Sequence, residues 1–256
     1  MNFLNNIPQV TKNLMILNVL FFLVTLFLES KGINLRTILG AHYLNSPDFQ
    51  PYQAITHMFI HENFLHILMN MWLFVMLGGH LERLWGPKRF FIFYILCGLG
   101  AFILHNGIGV YQIYELRHSL SMNYPMESID NIIRNTSDAN TADALNSYFN
   151  EKQLASGEGI QRYFDLTRVT MFGASGAVFG VLAAFAILFP NMEFLLYFAI
   201  PVKAKYLFGA YILLEIYLSF KNSPTDQVAH LAHLGGAIVG AIMVLYWRKT
   251  DRSNFY

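Results

Sequence analysis

Charge is scarce in this sequence. Charged residues make up 13% of its 256 positions and hydrophobic ones 55%, against about 25% charged in an ordinary soluble domain. With a mean hydropathy of +0.39, the chain has the composition of a multispan membrane protein. An excess of either sign is missing too: 17 Lys and Arg stand against 16 Asp and Glu. That balance excludes nucleic acid as the main partner, because phosphate binding needs a basic surface. Cysteine occurs once, as Cys97 in an apolar run, so no intrachain disulfide can form. No small-residue cleavage site follows the first apolar run, and Lys12 with Asn13 precedes it as in a signal anchor. No internal repeat is present, and one interruption near Pro201 is the only broken span. A transporter built from matched halves would show paired breaks.

What the chain does have is apolar length. Six runs read as spans: Leu14–Leu28, Phe64–Gly79, Arg89–His105, Phe172–Phe189, Ala204–Phe220 and Val228–Trp247. Phe194–Ile200 is apolar as well, and reads as an interfacial segment ahead of the fifth span. With the N-terminus inside, inner segments hold nine bases, namely Lys12, Arg83, Lys88, Arg89, Lys203, Lys205, Arg248, Lys249 and Arg252. The short outer loops hold three, Lys31, Arg36 and Lys221. This bias puts both termini in the cytoplasm. The absence of a visible organelle-targeting segment suggests a bacterial plasma membrane. Residues 1–256 form one membrane domain, with a polar insertion at 106–168 in an outer loop. The insertion carries eight acids and five bases, and helical patches at Met126–Ile133 and Ala142–Leu154. It reads as a solvated excursion, or else as a docking element beside a substrate entrance.

The polar residues inside the spans carry the chemistry, since an unpaired polar group buried in lipid costs several kcal/mol. In HENFLHILMN (61–70) the histidines are five apart. A helix turning about 100° per residue separates them by roughly 140°, so they cannot share one metal ion as in H-E-x-x-H. His66 and Asn70 instead share a face. The fourth span opens with Gly173-Ala174-Ser175-Gly176, the fifth holds Glu215, and the sixth opens with His230 and His233. Serine, histidine and asparagine from three helices thus meet at one depth. Such a set suffices for serine acyl transfer: a base to take the hydroxyl proton, and side-chain donors for the oxyanion. Gly176-x-x-x-Gly180 and Gly236-x-x-x-Gly240 are small-residue faces that permit a close crossing. His233 lies three residues before Gly236 and Ser175 one before Gly176, so the crossing would bring hydroxyl to imidazole. Phe179, one turn on, could stack beneath the ring. His230 is the rival base, and it lacks the spacing to Gly236.

HILMN (66–70), GASG (173–176), AHLGGAIVG (232–240) and LERLWGPKRFFIFY (81–94) together resemble the rhomboid family of intramembrane serine proteases. The likeness spans the chain outside about 106–168. It implies an all-α, polytopic bundle of six transmembrane helices. It makes Ser175 the nucleophile and His233 the base of a dyad, with no acid assigned to orient the base. It makes His66 and Asn70 oxyanion-hole donors, and Gly173, Gly176, Phe179, Gly236 and Gly240 the packing around them. It implies no metal, no cofactor, transmembrane proteins as substrates and the lipid bilayer as surroundings, and leaves the oligomeric state open. One departure is Tyr52-Gln53, where many members have Trp-Arg, which raises the question of how that outer loop is anchored. A catalytically silent scaffold for client helices is the alternative, although such relatives lose the serine or the histidine. A channel would need polar residues through the full depth, and the inner halves of these spans lack them.

Overall fold

The computed structural model describes residues 6–136, 138–153, 157–196, 200–221 and 230–250. Val228, where the sixth span is expected to begin, and Arg252 lie outside them, as do Leu154 and residues 197–199. In chain order the main helices are α1 (Gln9–Glu29), α2 (Phe64–Trp85), α3 (Pro87–Leu120), α4 (Met126–Asn135), α5 (Asp138–Glu151), α6 (Glu158–Thr167), α7 (Ser175–Leu188), α8 (Ala204–Lys221) and α9 (His230–Thr250). Among the described residues, α1, α2, α3 and α9 are long and apolar enough to cross a membrane. Helix α7 is apolar but has 14 residues, and α8 carries Lys205, Glu215 and Lys221 within its 18. The chain is therefore an all-α membrane protein with at least those four candidate spans. The stretch 194–200, read as interfacial, contributes to a small antiparallel hairpin, β1 (Glu193–Leu196) with β2 (Ile200–Lys203), in which Phe194 faces Val202.

The chain divides into two compact units. The first comprises residues 1–41, 52–105 and 171–256. Its helices bury large apolar side chains together with a few polar ones, and expose large apolar side chains as well. On α1 the buried residues are Thr11, Leu14, Asn18, Phe22 and Thr25, three or four apart, while Leu20, Leu23 and Phe27 are exposed on the opposite face. An outward face of large apolar side chains is not that of a soluble amphipathic helix, and it suits a lipid solvent. Two of the buried polar side chains donate to carbonyls one turn back on their own helix: Asn18 to Leu14 at 2.8 Å and Thr25 to Phe21 at 2.8 Å. The start of α1 is capped from α2. Glu82, itself buried, accepts from the Val10 N–H at 2.9 Å, the Thr11 N–H at 2.7 Å and the Thr11 hydroxyl at 2.7 Å. These amides have no acceptor within their own helix, and the positive end of the helix dipole favours a carboxylate there.

Helix α2 passes through one π turn at Phe74–Gly78, and ends at Gly86, whose φ of 79° suits a residue without Cβ. Pro87 then opens α3, where a missing N–H costs nothing. At the far end of α9, Arg89 lies 5.1 Å from the Trp247 ring, which also packs on Trp85 at 5.3 Å. Helix α7 has no polar face: every residue from Gly176 to Phe185 is buried. It is surrounded on all sides, as a uniformly apolar helix must be.

The second unit comprises residues 42–51 and 106–170. Helix α3 runs on past His105, the expected end of the third span, to Leu120. Its last turns belong to this unit. The unit has its own core, built from Tyr43, Ile113, Met126, Ile129, Ile133, Leu145, Phe149, Ile160 and Tyr163. Asp130 accepts from Arg117 at 2.7 and 2.9 Å and from the Tyr163 hydroxyl at 2.6 Å. Burial, reinforced by that carboxylate, raises the Tyr163 phenol above its ordinary range. Arg168 pairs with Asp48 and donates to the Ile133 carbonyl at 2.9 Å.

Candidate active site

Ser175 is the first residue of α7. The approach to it is fixed by Gly173, whose φ of 123° excludes a side chain without strain. Gly173 donates its N–H to the His57 carbonyl at 2.9 Å. His57 is buried and donates its Nδ1–H to the Gln53 carbonyl at 2.8 Å. A Cβ on Gly173 would sit 3.0 Å from His66 Nε2 and 3.4 Å from Ser175 Oγ. The glycine is therefore what lets the imidazole of α2 lie beside the serine.

His66 is oriented by the capping of its own helix. Its backbone N–H donates to Asn63 Oδ1 at 2.9 Å, and the Glu62 N–H approaches its Nδ1 at 3.5 Å. Nε2 is the ring atom on the Gly173 side, the atom that a Cβ there would meet. Asn70, one turn below, is buried and donates from its amide to the His66 carbonyl at 3.0 Å. His61 is buried and packs edge-on against His66, ring centres 5.1 Å apart. The loop that carries His57 and His61 is anchored without the Trp-Arg pair. Gln53 donates to the Ile38 carbonyl at 3.2 Å, Thr56 to that of Leu39 at 2.7 Å, and Arg36 to that of Glu62 at 2.8 Å.

On the other side, α7 and α9 cross closely enough to forbid any Cβ at the contact. A methyl group on Gly236 would overlap the Gly176 carbonyl oxygen, and one on Gly240 would lie 2.6 Å from that of Gly180. Gly180 also lies against the sulfur of buried Cys97. This crossing sets His233 Nε2 2.9 Å from Ser175 Oγ. Phe179 stacks on the His233 ring at 4.2 Å with an interplanar angle of 8°.

Glu215 is the one acid in the expected spans, and the sequence assigns it no partner. In the structure its Oε2 lies 2.9 Å from His233 Nδ1 and 2.6 Å from His230 Nδ1. The signal was present: one carboxylate in an apolar helix is costly unless something pairs with it. His230, the rival base, thus faces the acid. Glu215, His230 and His233 are also the one group among the described residues with metal-donor atoms in mutual reach. Ligands on a tetrahedral zinc stand about 3.3 Å apart, given bonds of about 2.0 Å. The two shorter separations here are those of hydrogen bonds.

The model of the Rhomboid domain matches residues 48–113 and 146–250, two segments that contain His66, Asn70, Ser175 and His233. The chain belongs to the rhomboid family. This rhomboid is also 39% identical over 77 residues to a protein of Schizosaccharomyces pombe described as an uncharacterized mitochondrial rhomboid protein. That alignment covers 30% of this rhomboid and 20% of the yeast protein, so the chain matches about a fifth of its relative's length.

Proposed function

We propose that this rhomboid is an intramembrane serine endopeptidase that hydrolyses peptide bonds in or near transmembrane helices of other membrane proteins. The observation that carries the reading is the 2.9 Å separation of Ser175 Oγ and His233 Nε2. A serine hydroxyl becomes nucleophilic when a base is in place to take its proton. Ser175 attacks the scissile carbonyl, and its proton passes to His233. The oxyanion is met by the Nε2–H of His66, the amide of Asn70 and the backbone N–H of Ser175, which opens a helix and has no intrahelical acceptor. His233 then protonates the leaving amine, and water repeats the sequence on the acyl-enzyme. Glycines 173, 176, 236 and 240 hold the parts close, and Phe179 keeps the imidazole flat against α7. None of these steps draws on a cofactor.

Six helices, α1, α2, α3, α7, α8 and α9, make up the membrane bundle in this reading. Both ends lie on the cytoplasmic side of a bacterial plasma membrane, as the excess of Lys and Arg in the inner segments supports. Helix α7, at 14 residues, is about 21 Å long, shorter than the hydrocarbon core of about 30 Å. Ser175 at its start is then reached by water from the outer side, below the lipid surface. A substrate helix must unwind to offer a carbonyl, so small or helix-breaking residues near the cut are favoured. Residues 106–168 are an insertion in the outer loop.

A fluorophosphonate probe in native membranes tests the reading. Labelling at Ser175 that disappears in Ser175→Ala, together with loss of cleavage of a transmembrane reporter, is the expected result. Undiminished cleavage by Ser175→Ala sinks the mechanism. A folded protein that neither labels nor cleaves is the scaffold.

A further inference from the structure

Glu215 is 3% exposed and lies on a helix whose adjacent residues Leu214 and Ile216 face outward. A carboxylate buried in this way is tolerated only with donors directed at it. It has two: the Nδ1–H groups of His233 at 2.9 Å and of His230 at 2.6 Å converge on the same oxygen, Oε2. An ionised carboxylate can only accept, so each imidazole carries its proton on Nδ1. For His233 this leaves Nε2 bare, and Nε2 is the atom that faces Ser175. The opposite tautomer would set an N–H against the hydroxyl and a lone pair against the carboxylate. The remaining freedom of the ring is removed by Phe179, stacked on its face.

We propose that Glu215 is a positioning residue of the active site: it fixes the tautomer and orientation of His233, and steadies the imidazolium formed when Ser175 gives up its proton, while His230 holds the same carboxylate oxygen in place. The site is then an acid–base–nucleophile relay drawn from three helices, α8, α9 and α7. No bond of the acid breaks or forms; the proton travels between Ser175 and His233 alone. This inference rests on the protease reading above. The competing account is structural, in which Glu215 merely pins α8 to α9.

The test is steady-state cleavage of a transmembrane peptide in proteoliposomes, with thermal midpoints, for wild type, Ser175→Ala, Glu215→Gln and His230→Gln. Glutamine keeps the shape of Glu215 but can donate to Nδ1, and so permits the wrong tautomer. Glu215→Gln is expected to lower kcat about 100-fold, with KM within about twofold and the midpoint unchanged. His230→Gln is expected to lower it less. A kcat within about threefold of wild type, or a loss that merely follows a lower midpoint, overturns the proposal. A second readout needs no variant to fold: nitrogen NMR of the histidine-labelled wild type is expected to show His233 protonated at Nδ1 and bare at Nε2, and the reverse assignment overturns it. If Ser175→Ala still cleaves, the protease reading itself has failed. If Ser175→Ala is inert and Glu215→Gln fully active, only the role of Glu215 has.

Discussion

Glu82 of α2 closes the open end of α1, taking the Val10 and Thr11 amides and the Thr11 hydroxyl on its two carboxylate oxygens. One side chain thereby joins the first two apolar helices at a point buried within the protein. Replacing it with alanine strands three polar groups. Glu82→Ala is expected to lower stability by roughly 2–4 kcal/mol, given about 1–3 kcal/mol for each buried group left unpaired and partial relief by water. Glu82→Gln is expected to cost less, because its amide oxygen can keep both Thr11 bonds while its nitrogen meets the Val10 N–H. Thermal unfolding in detergent measures both.

Gly236→Ala is expected to abolish activity. The added methyl overlaps the Gly176 carbonyl, and backbone cannot step aside as the end of a flexible side chain can. Forcing α9 from α7 lengthens the hydrogen bond between Ser175 and His233, so probe labelling should vanish along with cleavage. Gly209, with open space around its Cβ position, is the control: Gly209→Ala should label normally.

The oxyanion donors should grade rather than switch. Asn70→Ala is expected to cost on the order of 100-fold in kcat and retain a measurable residue of cleavage, as loss of one donor does elsewhere. Ser175→Ala is expected to retain none. Equal rates for Asn70→Ala and wild type would remove Asn70 from the hole.

Acid should loosen the loop below the serine. His57 and His61 lie in the connection ahead of α2, and burial pushes them down to about 4 and about 3, with the charge of His66 adding to the effect on His61. Unfolded, both titrate near 6.5. The unfolded chain therefore binds more protons below that value. Stability is full above about pH 6.5 and is lost as the pH falls through that value toward the folded values. The thermal midpoint should drop between about pH 7 and pH 4.5. A flat profile would mean that the two rings are not held neutral.

Much of the fold is legible from apolar length. The runs at 14–28, 64–79 and 204–220 fall within α1, α2 and α8. What is not legible is where a helix continues as the chain turns polar. Residues after His105 stay helical to Leu120 because Ile113 feeds a separate small core rather than lipid. Hydropathy registers solvent preference, and is blind to a helix that changes solvent midway. The last helix of that unit, α6, is hidden similarly: Ile160 and Tyr163 supply its buried apolar side, too few to stand out in a polar stretch.

At the site, the meeting of α7 with α9 follows from glycine spacing, because only Gly allows backbones so near. The partner of His233 does not. Glu215 lies 18 residues away on another helix, and nothing in local spacing reveals which face of α8 turns inward when its apolar residues are spread all round. Cost alone could have pointed to it, as the one acid inside a span with histidines nearby.

Cys97 offers a practical opening. The chain's lone thiol is sealed against Gly180, out of reach of water. Maleimide reagents should therefore find no background on the native protein, and a reporter cysteine placed at any loop can be read directly, without first building a thiol-free variant. The sidedness of every connection in this bundle can be mapped that way, one engineered position at a time.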